Sequence, residues 1–190
     1  MINLKSGVAI FAMNFYNAYV RSYTINENNE KEFFDIVRDV YFSDEVQGQA
    51  MYIQHADINR LQHVTSVAYM AYLYCKEIHA DFRAAARAGV LHDLVYYDWH
   101  AAGDGTHRLH GYRHPGFAVK NAKALCNLSE TEENIIRRHM WPLTPTPPKY
   151  KEGVILSIID KYCAANEILI KKFSSYRDKF HNDINKLKSR

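Results

Sequence analysis

Apolar side chains recur along this chain at intervals of three and four residues, which is the spacing of one face of an α-helix. In residues 30–42 they fall on a single stripe, and in residues 58–78 they form an inner face that runs from Leu61 to Cys75. No run shows the sustained alternation that marks a β-strand. The pattern therefore predicts an all-α domain.

Helix-start signals mark the beginnings of two helices in the first half of the chain. Asp57 is the expected N-cap of helix 58–78, and Asp81 opens an alanine-rich helix, DFRAAARAGVLHDL. Its alanines and Gly89 leave the helix thin, so that neighbouring helices can approach it closely. A ligand-bearing helix at the centre of a bundle needs such an approach.

The second half of the chain has its own start signals. Pro115 is expected in the first turn of a helix, and the segment from Ser129 to Glu132 is a capping box. The helices predicted here cover residues 116–127, 130–140 and 151–170. The long segment 96–113 and the proline-rich segment 142–149 are predicted to be loops, and loops of such length are commonly functional.

Composition and length fit one soluble domain. The chain has 190 residues, of which 47% are hydrophobic and 24% charged. We predict an N-terminal helical extension over residues 1–54, a core domain over 55–170, and a basic C-terminal helix or tail over 171–190. The net charge of +3 is too mild to predict a nucleic acid or a membrane as the partner, and the basic tail is expected to face water.

The three cysteines are widely spaced and odd in number, which indicates free thiols in a reducing compartment. The apolar run near the N-terminus is broken by Asn14 and Asn17 and lacks a clear cleavage site, so a signal peptide is not expected. No run reaches the roughly 18–20 apolar residues that span a bilayer. We expect a cytoplasmic protein.

Candidate chemistry comes from an ordered series of histidines and aspartates in helical segments or at helix ends. Its members are His63, His92, Asp93, His114, His139 and Asp160. Imidazole nitrogens mixed with carboxylate oxygens suit Fe, Mn, Co, Ni or Zn, whereas an all-oxygen set would favour Ca or Mg. The chain is therefore predicted to hold metal ions.

A lone histidine on a helix is more often an ordinary core or surface residue. The prediction is stronger here because the candidate ligands lie together in apolar segments. An unpaired buried charge is costly. Asp160 is the clearest case, because Lys161 is expected to point elsewhere and to leave that carboxylate without a local cation. The alternative is a buried carboxylate that hydrogen-bonds one of the histidines without a metal.

The series resembles the signature of the HD-domain superfamily of metal-dependent phosphohydrolases, over roughly residues 55–168. The resemblance implies an all-α HD-domain bundle with long loops over a central metal site. Four primary metal ligands follow from it: His63, His92, Asp93 and Asp160. His114 and His139 match the version of the family that holds two ions, with Asp93 as the bridging ligand and catalytic residue.

This chain departs from the family pattern at one position. Many members carry a Lys or Glu that assists catalysis three residues after the motif aspartate, where this chain has Tyr96. Asp98 is a candidate substitute for the missing carboxylate. The signature of the cyclic-dinucleotide branch is not matched, because Arg113 follows Gly111-Tyr112.

Several neighbours of the ligands are candidate substrate contacts. His110 is an alternative to His114 as the sixth ligand, or a substrate contact, and we favour His114 as the ligand. Arg138 and Lys161 are adjacent to His139 and Asp160 and are candidates for binding phosphate oxygens. Trp99 and Trp141 could stack a base, although packing is the commoner use of tryptophan.

The reaction implied by the resemblance is hydrolysis of a phosphate mono- or diester of a nucleotide or small phosphorylated metabolite by a metal-bound hydroxide. Two divalent transition-metal ions are the expected cofactors, and a homo-oligomer is compatible with the sequence. Two alternatives stay open. The same six ligands serve mixed-valence di-iron HD-type oxygenases, and Tyr96 is compatible with a metal- or nucleotide-binding module without turnover.

Overall fold

The computed structural model describes residues 27–55, 58–98 and 109–169. In chain order the elements are α1 (Glu27–Tyr41), α2 (Asp44–Gln47), a 3₁₀ turn (Gly48–Met51), β1 (Ile53–His55), β2 (Ile58–Asn59), α3 (Arg60–Glu77), α4 (Phe82–Leu91), α5 (His110–Leu125), α6 (Glu130–Arg138) and α7 (Lys151–Leu169). The predicted all-α fold is confirmed. The first 26 residues and the basic segment 171–190 lie outside the described residues, so the predicted boundaries of the terminal segments stay predictions.

The central helix is α3. Residues 67–75 of this helix are all buried, including positions outside the predicted inner face such as Met70 and Leu73. A helix that is covered on every side belongs in the middle of a bundle. It packs mainly against α4 and α7, while α4 also contacts α1 and α6. Among the helices that the structure describes, none is both long and apolar enough to cross a bilayer.

The predicted thin helix is α4, and Asp81 caps it by accepting from the backbone N–H of Ala84 at 3.0 Å. Its contact with α3 is closest at Gly89, where an added Cβ would stand 2.6 Å from the Cα of Ala68. No real Cβ tolerates that distance. The small side chains of α4 therefore set how near the two helices lie.

The start of α3 differs from the prediction. The helix begins at Arg60, because Asn59 and Gln62 form a capping box in which each side chain accepts from the other residue's backbone N–H. Ile58 pairs with His55 in the antiparallel ribbon of β1 and β2. That ribbon is too short to produce a periodic sequence signal. Asp57, the predicted cap, lies outside the described residues.

The start of α5 also differs. This helix begins at His110, five residues before Pro115. The prediction that Pro115 lies in the first turn was wrong. Leu109 precedes it in the left-handed region, with a φ of 63°. Because the helix starts early, His110 and His114 are one turn apart on the same face, and their rings stack with centroids 4.4 Å apart.

The predicted capping box at the start of α6 is confirmed. Ser129 accepts from the backbone N–H of Glu132, whose side chain accepts in return from the backbone N–H of Ser129. The helix ends at Arg138, two residues earlier than predicted, and His139 is its C-cap.

We expect Gly89→Ala to destabilise the protein, although alanine is the better helix former. The helix-propensity gain of about 1 kcal/mol is outweighed by an overpacking cost of roughly 1–3 kcal/mol against Ala68. Gly116→Ala in α5 is the matched control, because an added Cβ there meets nothing within 4 Å. Urea denaturation should show a lower midpoint for Gly89→Ala and an equal or higher one for Gly116→Ala. Equal midpoints for Gly89→Ala and the wild type would contradict the close approach.

Candidate metal centre

Five helices contribute to one cluster at the middle of the bundle. His63 is in the first turns of α3, His92 and Asp93 directly follow α4, and Asp160 is in the middle of α7. The other two members, His114 of α5 and His139 after α6, complete the cluster. All six residues are buried, and none is more than 8% exposed. The structure thus brings together the whole series that the sequence singled out.

Three of the histidine rings are held in the same way, by a hydrogen bond between Nδ1 and a backbone carbonyl one turn earlier. These bonds join His92 to Gly89 at 2.7 Å, His114 to His110 at 2.9 Å, and His139 to Ile136 at 2.8 Å. A carbonyl oxygen only accepts, so Nδ1 carries the hydrogen. In a neutral ring, Nε2 then offers its lone pair to the centre of the cluster.

Asp93 lies between these rings, and its two oxygens face different histidines. Oδ1 is 3.1 Å from Nε2 of His114 and 3.5 Å from Nε2 of His139. Oδ2 is 3.7 Å from Nε2 of His92. Asp93 is accordingly shared by two groups with metal-ligand spacing, one with His63 and His92 and the other with His114 and His139. This is the arrangement that a carboxylate bridging two ions requires.

Asp160 lies on the other side of the cluster. Its Oδ1 is 3.1 Å from Nε2 of His63 and 3.7 Å from Nε2 of His92. With His92 and His139 it forms a further group of candidate ligands. Asp160 therefore supplies a carboxylate beside His63 and His92.

Glu167 was missed by the sequence reasoning. Its Oε2 is 2.9 Å from Nδ1 of His63, which leaves Nε2 of that ring facing Asp160. Metal-binding histidines commonly donate their second ring nitrogen to a carboxylate, which fixes the orientation of the ring. The sequence held one signal for it, since Glu167 follows Asp160 by seven residues, two turns along the same face of α7.

Two contacts test whether these residues fit a cation. Nε2 of His92 is buried without a hydrogen-bond partner, and a buried polar atom without a partner is costly. The Nε2 atoms of His114 and His139 lie 2.7 Å apart, with both Nδ1 hydrogens already committed to carbonyls. Two lone pairs then face each other unless one ring gains a proton. A divalent transition-metal ion satisfies these acceptors together, so the residues fit the predicted metals.

Electrostatics in the cluster favour ionised carboxylates. Burial acts to raise the pKa of Asp93, but the neighbouring imidazoles of His92 and His114 hold it well below its ordinary value. The pKa of Asp160 is held low in the same way by His63 and His92. Both side chains are therefore charged near neutral pH, as ligands must be.

The pKa values of His139 and His63 are shifted in opposite directions. Burial, together with His114 and His92, lowers the pKa of His139 to about 3, so that this ring is neutral and its Nε2 is free to coordinate. Burial also acts to lower the pKa of His63, but Glu167 and Asp160 raise it well above its ordinary value. Metal binding at His63 must therefore displace a proton, and its strength should fall as the pH falls.

A cavity of about 220 Å³ opens onto one side of the cluster. The residues of the described chain that line it are Gln54, His55, Asp93, His110, Gly111, His114, His139, Met140, Asp160, Lys161 and Ala164. Gln54 and His55 come from the unpredicted ribbon, so the sequence reasoning missed them.

Lys161 corrects one expectation. Its Nζ is 3.7 Å from Oδ2 of Asp160 and donates to the carbonyl oxygens of His139 and Ser157 at 2.9 and 3.1 Å. The expectation that Lys161 points away from Asp160 was wrong, because its long side chain reaches back along α7 into the cavity wall. Burial lowers the pKa of this ammonium group. It is a cation beside the candidate metal ligands.

The other two candidate substrate contacts, His110 and Arg138, differ in whether they line the cavity. His110 lines the cavity, and its Nδ1 lies 3.0 Å from the hydroxyl of Tyr97, while its neighbour His114 is the one that joins a ligand group with Asp93. Arg138 is half-buried at the end of α6 and is not among the cavity-lining residues of the described chain.

The loop after Asp93 is only partly described. Tyr96 is 49% exposed and does not line the cavity, so the position where many family members carry a catalytic Lys or Glu holds a solvent-facing phenol. Asp98 is partly buried. Residues 99–108, with Trp99, lie outside the described residues, whereas the proline-rich loop is described and Trp141 is half-buried at its start.

Comparison with known proteins gives one match. The family model of the HD domain matches residues 60–165, which is more than half of the chain and contains all six clustered residues. No curated protein and no solved structure matches the chain.

We expect Asp93→Ala to remove most bound metal, because Asp93 is shared by both candidate ligand groups. His114→Ala should instead lower the metal content from about two ions to about one per chain, since it belongs to one group only. Elemental analysis of purified variants measures both. His79→Asn, an exposed histidine outside the cluster, is the control. Wild-type metal content in Asp93→Ala, or equal loss in both variants, would contradict the shared-carboxylate geometry.

A second prediction concerns the metal-free protein in acid. The pKa of His139 is about 3 in the folded state against an ordinary value of 6.5, so the unfolded chain binds more protons between these pH values. Its contribution to stability is therefore fully present above pH 6.5 and is lost as the pH falls toward 3. We expect the free energy of unfolding of His139→Gln to fall less steeply than that of the wild type between pH 6.5 and about 4.

Urea denaturation of chelator-treated protein at a series of pH values measures this slope. The depressed pKa values of Asp93 and Asp160 also lower stability as the pH falls below about 5, but both carboxylates are present in the two proteins that are compared. The raised pKa of His63 affects stability above pH 6.5. Parallel curves for His139→Gln and the wild type would show that burial of His139 does not govern the acid response.

Proposed function

The chain belongs to the HD-domain family, a superfamily of metal-dependent phosphohydrolases, and on this premise we propose that it hydrolyses a phosphate mono- or diester. The observation that carries the proposal is the convergence of the Nε2 atoms of His92, His114 and His139 on the carboxylate of Asp93, beside a cavity that is lined in part by a lysine. We propose a nucleotide or another small phosphorylated metabolite as the substrate.

Charge in the cavity supports a phosphate ligand. Lys161 supplies an ammonium group at the wall, next to Asp160 and one helical turn from Ser157. His110 adds a ring whose Nδ1 is engaged by Tyr97. A cation placed beside the metal ligands stabilises the negative charge that spreads over the equatorial oxygens in phosphoryl transfer.

When two divalent metal ions are bound, they lower the pKa of a coordinated water and polarise a phosphoryl oxygen. The side chains of the cluster would hold the ions and orient the reacting groups. His63, His92 and Asp160 would hold one ion, His114 and His139 the other, and Asp93 both. Asp93 is kept ionised by its neighbours, so we assign it the orientation of the attacking water. Lys161 and His110 would orient the phosphate group of the substrate.

The size of the cavity supports a small substrate. Its volume of about 220 Å³ is below the roughly 300–1,000 Å³ of common ligand pockets. A phosphate group with a modest organic substituent fits this volume better than a polymer does. We therefore favour a small-molecule ester over a nucleic acid.

The test is a panel of phosphoesters supplied to protein loaded with Mn, Fe, Co or Ni. p-Nitrophenyl phosphate, its bis-ester and a set of nucleotides should include a substrate that releases product at near-neutral pH without O2. Chelation should stop turnover, and restored metal should revive it. Strict dependence on O2 without any ester cleaved would favour a di-iron oxygenase. Silence in both assays with metal bound would favour a binding module.

We expect Lys161→Met to lower kcat/KM by about 10- to 100-fold, since a charged hydrogen bond to phosphate contributes roughly 1.5–3 kcal/mol. Metal content should not change, because Lys161 is not a ligand. Lys120→Met, at an exposed position of α5, is the control. Arg138→Met tests the second candidate contact and should have a smaller effect, because Arg138 does not line the cavity. Wild-type kinetics in Lys161→Met would remove it from the substrate site.

A further inference from the structure

The carboxylate of Asp93 is held by a residue outside the histidine cluster. Gln54, in β1, donates from Nε2 to Oδ2 of Asp93 at 2.7 Å. Its Oε1 accepts from Nε of Arg60 at 2.9 Å. Chemistry fixes this orientation of the amide, because a guanidinium only donates and a carboxylate that is ionised only accepts. Gln54 can satisfy both neighbours in one way only.

Arg60 is the second member of this arrangement. It is 1% exposed, and its guanidinium lies 4.8 Å from the ring centre of Tyr52. Its two terminal nitrogens donate to the carbonyl oxygens of Val95 and Tyr97 at 2.8 and 3.1 Å. These carbonyls belong to the chain that leaves the cluster directly after Asp93. One buried side chain therefore holds the backbone beyond Asp93 and, through Gln54, the carboxylate itself.

The consequence is a fixed rotation of the Asp93 side chain. With Oδ2 held by Gln54, Oδ1 is the oxygen that faces His114 and His139. Without the amide of Gln54, Oδ2 would lose this hydrogen bond. The carboxylate could then rotate away from the orientation in which it faces both candidate ligand groups. Terminal rotations of carboxylates are soft, so a bridging ligand needs such a restraint.

We infer that Gln54 and Arg60 are positioning residues that hold Asp93 with Oδ2 toward His92 and Oδ1 toward His114 and His139, the orientation in which it would serve both candidate ligand groups. The inference rests on the metal centre of the proposed function and is independent of which bond the enzyme cleaves. Partners of metal ligands typically change metal affinity by 10- to 100-fold when they are replaced.

The test compares two buried glutamines. Gln54→Met removes the donor to Asp93, while Gln49→Met removes a buried amide that has no hydrogen-bond partner and does not line the cavity. Mn²⁺ affinity is measured by electron paramagnetic resonance of the free ion, and the coordination of Co²⁺ by its visible spectrum. We expect Gln54→Met to raise the Mn²⁺ dissociation constant roughly 10- to 100-fold and to alter the Co²⁺ spectrum. Gln49→Met should leave both unchanged.

A second variant keeps the test independent of folding defects. Arg60→Lys retains the charge but loses the forked geometry, so it should weaken Mn²⁺ binding in the same direction as Gln54→Met. If Arg60 acts in part through Gln54, the loss of affinity in the double variant should be smaller than the sum of the two single losses, and the remainder comes from the contacts of Arg60 with the backbone after Asp93. Fully additive losses would overturn the proposed route through Gln54.

The outcomes separate this inference from the proposed function. Wild-type Mn²⁺ affinity and an unaltered Co²⁺ spectrum in Gln54→Met would overturn the positioning role alone. A wild-type protein that binds neither ion would overturn the metal centre and the inference with it. Metal binding that depends on Gln54 in a protein without phosphoesterase activity would support the positioning role and contradict only the hydrolase.

Discussion

Two carboxylates, Asp93 and Asp160, lie buried against four imidazole rings, and the bundle is arranged to hold them there. Burial of an ionised carboxylate is costly unless it is paired. Here the nearest partners are histidine nitrogens, and three of the rings turn Nε2 toward the centre because Nδ1 is bonded to a backbone carbonyl. Such a set of nitrogens and carboxylates suits cations. Metal binding and folding are coupled in such a site, because the ion meets its ligands only in the folded chain.

Helix ends and small residues make this convergence possible. His92 and Asp93 follow α4 and His139 follows α6, where the chain is free to turn side chains toward the centre. Gly89 brings α4 against α3 at Ala68, which places the end of α4 beside His63. The same backbone carbonyls that helices leave without partners at their C-terminal ends accept the Nδ1 hydrogens of His92 and His139. The termini of the helices thus orient the rings as well as position them.

Side chains around the ligands complete the centre. Glu167 orients the ring of His63, and Gln54, itself held by Arg60, donates to the carboxylate of Asp93. These contacts come from α7, β1 and α3, so the short ribbon also supports a set of candidate ligands that is drawn from five helices. Catalysis by positioned charge depends on such restraints, because an unrestrained ligand loses part of its effect to reorientation.

The sequence by itself determined the helical class, the thin helix, the capping box at Ser129 and the six residues that the structure clusters. These are set by local periodicity, by residue size and by the cost of burying charge, all of which can be read along the chain. Only the tertiary structure decided where α5 starts, that Lys161 turns back to Asp160, and that Gln54 and Glu167 contact the candidate ligands, with Arg60 behind Gln54. A two-strand ribbon has no periodic signal, and long side chains choose their direction from neighbours that are distant in sequence. The candidate ligands could therefore be recognised from local sequence, whereas the side chains that support them were decided by the packing of the whole chain.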